Sequence, residues 1–276
     1  MSAFALPFFR TALLAGLVLA GIHAYLGYHV VRRGVIFVDL ALAQMAALGT
    51  ALALVLGCHD HPVHAYLLSF GATLVGAAAF AWLRSQERQA PLEAFIGIVF
   101  ATAQALVFLV LAKSPAGPEH LKETLAGALF TVDPKHVGYT AILYAVVGLT
   151  HFLLRRPFFE ITAAPEAAHA RGRRLFWWDF LFYGLFGVVV TSSVHIAGVL
   201  LVFGLLVIPA VAGLMTTGTP GRALGFGWVF AGVGCFLGLL GSVRFDLPAA
   251  PSILVALAAM LGLLGVGVSL ARRRSE

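Results

Sequence analysis

The sequence CHDHPVH, at residues 58–64, places thiol, imidazole and carboxyl groups within seven residues. These are the side chains that hold zinc, manganese or iron in proteins. We therefore take His59, Asp60, His61 and His64 as candidate metal ligands, which could attract a divalent cation to one mouth of the molecule. Their spacing matches no structural zinc motif. The alternative is a solvated loop, because short loops often carry histidine and aspartate for their polarity alone.

A second set of polar residues lies inside long apolar stretches. Asp39 is the one carboxylate that we place there, with Gln44 and Gln104 deeper along their segments. Ionisable groups in lipid are costly and are usually functional, so these three residues are candidates for a substrate path. An ion pair with Arg32 or Arg33 is the alternative for Asp39. Hydrogen bonding between helices is the alternative for the glutamines.

The rest of the chain is built to cross a bilayer. Of its 276 residues 61% are hydrophobic and 11% are charged, whereas soluble domains carry about 25% charged residues. Long apolar runs favour helices over a barrel, whose strands would be short and alternating. We predict an all-α, polytopic bundle of eight or nine helices, forming one permease-sized domain over residues 1–276. The predicted spans are Phe4–Val31, Val35–Gly57, Val63–Leu83, Ala94–Ala112, Val137–Leu154, Trp178–Val190, Ile196–Met215, Ala223–Gly241 and Ser252–Leu270.

The sixth and seventh spans leave the number of crossings open. Trp178–Val190 is too short to cross upright, so it tilts, extends further, or forms a re-entrant hairpin with Ile196–Met215. Pro209 should kink or break the seventh span, because proline removes a backbone hydrogen bond. Broken helices often border the substrate path of a transporter, which makes Pro209 a hinge candidate.

Basic residues predict the orientation. With nine spans and an external N-terminus, 13 of the 18 lysines and arginines fall on the cytoplasmic side. The positive-inside rule then places the N-terminus outside and the C-terminus in the cytoplasm. The net charge of +6 therefore reports orientation and contact with lipid headgroups, and we predict no nucleic-acid partner.

The longest predicted cytoplasmic segment runs from Arg155 to Trp177. Its middle, residues 163–170, is a fair helix former between helix breakers, and the segment also contains Glu160 and Glu166. A short surface helix here could dock onto a cytoplasmic partner, with the two glutamates as coupling residues. A solvated connector held by lipid headgroups is the alternative.

Several motifs, in order along the chain, resemble the membrane permease of zinc/manganese/iron-type ATP-binding-cassette (ABC) importers. The clearest is SVHIAGVLLVFGLLVIPAVAGLM at residues 193–215, and the first is YHVVRRGVIFVDLALAQMAALGTALA at residues 28–53. The others are EAFIGIVFATAQAL, LAGALFTVDPKHV and FDLPAAPSIL, beginning at residues 93, 125 and 245. The chain is thus identified as a divergent member of that family.

The resemblance implies a metal site that this chain has altered. The family's second helix typically reads GDALSHA, with aspartate and histidine on one helical face. Aligned on Ala41, Leu42 and Gly49, those positions fall on Leu40 and Gln44. Leucine cannot bind a metal, and a glutamine carbonyl suits hard cations better than zinc. Asp39 is adjacent but lies about 100° around the helix.

The sequence therefore predicts a permease subunit of an ABC importer that carries a divalent metal, and not an enzyme. No G-x-x-x-x-G-K-[ST] motif occurs, so ATP would bind to a separate cytoplasmic subunit. The resemblance further implies a homodimer in the bacterial inner membrane and a periplasmic metal-binding protein. No covalently bound cofactor is expected. The alternatives are an ion-coupled secondary carrier or channel, or an ABC permease for a non-metal substrate; a membrane metalloprotease would need a motif such as HExxH, which is absent.

Overall fold

The structure is a computed structural model that describes residues 6–58, 61–85, 91–112 and 127–273. Within these ranges the chain forms ten helices and no strand. In chain order they are α1 Pro7–Arg32, α2 Val38–Val55, α3 Pro62–Ser85, α4 Leu92–Leu111, α5 Pro134–Leu153, α6 Arg155–Ala163, α7 Pro165–Ala170, α8 Leu175–Thr216, α9 Pro220–Phe245 and α10 Ala249–Arg273. The prediction of an all-α fold is confirmed.

Eight of the helices in the described ranges are long and apolar enough to cross a membrane: α1 to α5 and α8 to α10. Five helices begin with proline, namely Pro7, Pro62, Pro134, Pro165 and Pro220. The first turn of a helix tolerates proline because its N–H would have no intrahelical partner there. These eight helices make the chain a multi-pass membrane protein.

The described residues group into two compact units. One unit contains α1, the part of α5 up to Tyr144, the part of α8 from His195 onwards, α9 and α10. The other contains α2, α3, α4, the rest of α5, α6, α7 and α8 up to Val194. All the candidate functional residues described below lie in the second unit, except Pro209.

Small residues bring the helices of the second unit close together. The Ser69 hydroxyl of α3 donates a 2.8 Å hydrogen bond to the backbone carbonyl of Ala46 on α2. One turn further along α2, a Cβ atom on Gly49 would lie 2.4 Å from the Leu68 carbonyl oxygen. On its opposite side α2 packs against α4 through Ala47, Ala51 and Val107. Close backbone approach of this kind is the usual way to pack helices in lipid.

We expect Gly49→Ala to destabilise the protein. The added methyl group would collide with the backbone of α3, which cannot rotate away as a side chain could. Overpacking of this type costs about 1–3 kcal/mol, and a lower melting temperature of the detergent-solubilised protein would measure it. Gly71→Ala is the matched control, since nothing lies within 4 Å of the position of its new methyl group. Equal melting temperatures for the two variants would contradict this packing.

The long helix α8 is broken inside its apolar region. Gly198 has φ 73° and ψ 159°, which is outside the helical range, so the helix consists of two parts, 175–197 and 199–216. Gly127, also at positive φ, lies against this break, where a Cβ atom would be 2.2 Å from the Ala197 carbonyl carbon. The backbone N–H of Ala128 donates to the carbonyl of Ile196 at 3.1 Å, so the break does not leave that carbonyl without a partner.

These two parts correct the predicted sixth and seventh spans. The predicted sixth span, Trp178–Val190, is too short. The first part of α8 begins at Leu175 and continues to residue 197. The chain does not break at Pro209: it stays helical there and leaves the helical conformation at Gly198 instead, and a kink at Pro209 stays a prediction. Proline tolerates helical φ, whereas only glycine adopts φ near 70° without strain.

Candidate functional site

Asp39 occupies the first turn of α2 and is completely buried. Neither carboxyl oxygen has a hydrogen-bond partner, so the alternative of an ion pair with Arg32 or Arg33 is wrong. The start of α2 is held in place by α4, because the backbone N–H of Phe37 donates to Glu93 at 3.1 Å. A buried polar group without a partner is costly. Such groups are few in native proteins, and each calls for an explanation.

The other predicted residues of the substrate path lie on α2, α4 and α8. Gln44 is 2% exposed on α2, and Gln104 is half-buried on α4, which packs against α2. Asp39, Gln44 and Gln104 therefore belong to one helix pair of the second unit. Pro209 is buried on α8 in the first unit, where Gly227 lies against its carbonyl group.

The predicted metal loop is only partly described. His59 and Asp60 lie outside the described residues, whereas His61 and His64 are within them, with ring centroids 5.4 Å apart in an edge-to-face arrangement. Among the residues that the structure describes, no three histidine, cysteine, aspartate or glutamate side chains gather to hold a metal ion. The loop therefore stays a prediction.

The predicted coupling segment forms two helices where one was expected at residues 163–170. Helix α6 covers Arg155–Ala163, and α7 covers Pro165–Ala170 after a kink at Ala164, whose φ of −152° is not helical. One face of α6 is buried through Pro157, Phe158, Ile161 and Thr162. The helical signal of α6 is weak in the sequence, because two arginines followed by a proline conceal its amphipathic face.

The two predicted coupling glutamates have different surroundings. The Glu160 carboxylate forms a salt bridge with the Arg171 guanidinium at 2.6 Å and lies 3.5 Å from Nε of Arg173. It therefore ties α6 to the residues that follow α7. Glu166, in the first turn of α7, is exposed. Of the two, Glu166 has the side chain available for a partner protein.

A buried ionic cluster lies directly beside α6. Asp179, in the second turn of α8, accepts hydrogen bonds at one carboxyl oxygen from Arg33 at 2.8 Å and from Arg84 at 3.2 Å. The Asp179 and Arg33 side chains are 1% and 0% exposed. Arg33 also donates from Nε to the Thr162 hydroxyl of α6 at 2.9 Å. Its guanidinium carbon lies 4.0 Å from the centre of the Phe182 ring, a cation–π distance.

The electrostatics of this cluster follow from its burial. Burial lowers the pKa of the Arg33 guanidinium, the Asp179 carboxylate opposes that shift, and the positive charge of Arg84 adds to it. Arginine nevertheless stays charged at any physiological pH. Two buried guanidinium groups therefore share one carboxylate, and Asp179 is the only acidic group within hydrogen-bond reach of Arg33 in the described part of the chain.

Sequence reasoning missed Asp179 because it begins a strongly apolar stretch. A signal was present, however. The predicted orientation puts Arg33, Arg84 and the start of the sixth span at the same face of the membrane, and a carboxylate just inside that face needs a basic partner. Pairing charges at helix ends across the predicted topology would have suggested the cluster.

The arrangement is typical of a transport protein, with a buried carboxyl group on a membrane helix and an amphipathic helix joined to the same unit. The family model of the ABC 3 transport family matches residues 5–267. The chain belongs to this family. The resemblance drawn from its motifs is thereby confirmed, and ABC 3 proteins are membrane transporters.

Two curated relatives and one solved structure illustrate the range of the ABC 3 family around this chain. The zinc uptake membrane protein ZnuB of Haemophilus influenzae is 27% identical over 88% of this chain and 91% of its own length. The manganese transport membrane protein MntC of Listeria monocytogenes is 23% identical over 90% and 87%. PsaBC from Streptococcus pneumoniae, solved in complex with Fab, has a TM-score of 0.79 at 18% identity, covering 95% of this chain and 92% of its own. That likeness supports the fold.

Proposed function

We propose that this chain is the membrane permease of an importer for divalent transition-metal ions, driven by a separate ATP-binding subunit. The family match over residues 5–267 carries the proposal. The relatives that it resembles along nearly their whole length are named for zinc and manganese transport. Iron belongs to the same class of cargo, because the three ions accept the same nitrogen and oxygen ligands.

Asp39 is the residue that we assign to the cargo. Its carboxyl group is buried and lacks a partner, so an entering cation would satisfy a polar group that the protein alone leaves unpaired. Gln44, at the family's histidine position, would offer a neutral oxygen. An oxygen-based site favours manganese over zinc more than the family's aspartate–histidine pair does. Gln104 and Pro209 complete the proposed path.

The proposed assembly has three kinds of subunit. Two copies of the permease lie in the bacterial inner membrane, each with its N-terminus outside and its C-terminus in the cytoplasm. Cytoplasmic ATP-binding subunits contact the segment formed by α6 and α7. A periplasmic metal-binding protein delivers the cation to the outer loops, where His59, Asp60, His61 and His64 are proposed to receive it. Closure of the ATP-binding subunits then moves the segment and switches the path from outward-open to inward-open.

Reconstitution tests this function. The permease with its own ATP-binding subunit and binding protein should accumulate Zn²⁺ or Mn²⁺ in liposomes only when ATP is supplied. Uphill uptake by the permease alone would favour an ion-coupled carrier instead. ATP-dependent transport without any metal cargo would favour an ABC permease for another substrate.

We expect Glu166→Ala to uncouple metal transport from ATP hydrolysis, because this exposed glutamate on α7 is available to contact the ATP-binding subunit. Glu160→Ala should uncouple by a different route. It would release Arg171 and Arg173 and loosen the segment itself. Metal transported per ATP hydrolysed is the measurement.

The affinity of the permease for the ATP-binding subunit should distinguish the two variants. Glu166→Ala should weaken it, whereas Glu160→Ala should leave the contact surface in place but less ordered. Wild-type coupling in the double variant would remove both glutamates from the mechanism.

A further inference from the structure

We infer that the cluster of Arg33, Asp179 and Arg84 positions the membrane helices relative to α6, and that the hydrogen bond from Arg33 to Thr162 transmits the movement of α6 to them. This inference rests on the proposed function, in which α6 and α7 receive the motion of an ATP-binding subunit. The cluster would thus be the mechanical link between the surface segment and the transport path. Thr162 and Arg33 would be positioning residues that need not touch the cargo.

The first argument is that the cluster joins four separate elements. Arg33 lies in the turn before α2, Arg84 in the last turn of α3, Asp179 in the second turn of α8 and Thr162 in the last turn of α6. Three hydrogen bonds of 2.8, 3.2 and 2.9 Å hold these elements together. Arg33 alone makes two of the three, so a displacement of α6 reaches α2 and α8 through one side chain.

The second argument is rigidity. The guanidinium group is planar, and its donors have a fixed relative geometry. Arg33 is fully buried against the Phe182 ring, so its side chain has no room to absorb a shift of its partners. Helix α6 rests on the same aromatic group, because the Phe158 ring lies 5.9 Å from Phe182 and 5.8 Å from Trp178, centre to centre. Polar and apolar contacts therefore constrain α6 against one end of α8.

The third argument is that stability alone does not account for the bond to Thr162. Buried ion pairs are weak contributors to stability, because the loss of hydration offsets their attraction. Arg84 already supplies a positive partner to Asp179, and Arg33 supplies a second. The bond from Arg33 Nε to Thr162 adds no charge pairing. What it adds is a defined position for the end of α6.

The test compares variants of Thr162 in the reconstituted complex of permease, ATP-binding subunit and binding protein, with Zn²⁺ and Mn²⁺ as probes. Thr162→Val keeps the shape of the side chain but removes the acceptor. We expect metal transported per ATP to fall by about tenfold, the effect of losing one hydrogen bond to a charged group in a two-state equilibrium. The rate of ATP hydrolysis should change little, whereas the melting temperature should fall modestly, because the buried Arg33 Nε–H loses its acceptor. Thr162→Ser restores the hydroxyl and should restore most of the coupling.

Thr150→Val is the matched control, since the Thr150 hydroxyl donates only to the carbonyl of Val146 in its own helix. Wild-type coupling in Thr162→Val would overturn the inference while leaving the proposed function intact. If Thr162→Val does not fold, Arg33→Lys takes its place, because lysine keeps the charge beside Asp179 without the planar group. Wild-type coupling in Arg33→Lys would equally overturn the inference. Absence of ATP-driven transport in the wild type would overturn the proposed function together with the inference.

Discussion

Asp179→Asn is expected to destabilise the protein more than any other single substitution considered for this chain. The change removes one negative charge and hardly alters the volume. Arg33, whose side chain is 0% exposed, would then be buried without a carboxylate, and Arg84, at 8% exposed, would lose the Asp179 carboxylate. Breaking a buried ion pair by removing one partner costs about 3–5 kcal/mol. A loss of this size is a large part of the stability of an ordinary domain.

The melting temperature and the yield of monodisperse protein in detergent would measure this effect. Asp246→Asn is the matched control, because Asp246 is exposed at the left-handed end of α9, where asparagine is equally well tolerated. We expect the control to melt as the wild type does. An Asp179→Asn protein as stable as that control would show that the cluster is not a buried ionic group at all.

Replacing all three charged residues together distinguishes an unpaired charge from a lost contact. The triple variant Asp179→Leu, Arg33→Met and Arg84→Met should recover much of the stability, because apolar residues of similar size often replace buried ionic groups without loss. The same triple variant should not recover coupled transport, since the bond to Thr162 would be absent. Stability and coupling would thus separate in one protein.

The regular part of the fold could be predicted from sequence for a simple physical reason. In lipid every backbone polar group must be paired within the chain, so a long apolar run has essentially one solution, and α1, α9 and α10 end within a few residues of the predicted spans. The exception was α8. Its break depends on Gly198 adopting a conformation that neighbouring Gly127 accommodates. That contact joins residues about 70 positions apart, and no local pattern reveals it.

The candidate site was less predictable, because the role of each buried aspartate depends on which residues it pairs with in the structure. The sequence identified Asp39 as an unusual residue and left Arg32 or Arg33 open as its partner. In the structure Arg33 belongs to Asp179, and Asp39 is left without one. Both carboxylates follow an arginine-rich junction, so composition and spacing cannot tell which one the arginine selects. The choice depends on how α2, α3 and α8 pack, and we propose that the aspartate left without a partner serves transport.

Asp39→Asn is expected to abolish most metal transport while leaving the protein as stable as the wild type, or more so. The carboxyl group has no partner to lose, and an uncharged amide of the same size is cheaper to bury. A cargo cation would lose its charged ligand. Uptake of Mn²⁺ and Zn²⁺ at limiting metal should fall at least about tenfold, which corresponds to about 1.4 kcal/mol of lost ion–carboxylate interaction.

The prediction is specific because metal transport should fall in Asp39→Asn while the melting temperature does not. A residue that only supports the fold loses stability and activity together, as Asp179→Asn should. A residue kept for its cargo loses activity without losing stability, because proteins commonly retain costly groups where function needs them. Measured side by side in the reconstituted complex, Asp39→Asn and Asp179→Asn make the same chemical change at two buried aspartates. Unchanged uptake in Asp39→Asn, or a lower melting temperature with it, would remove Asp39 from the metal path and would point to partners that hold this carboxyl group for structural reasons.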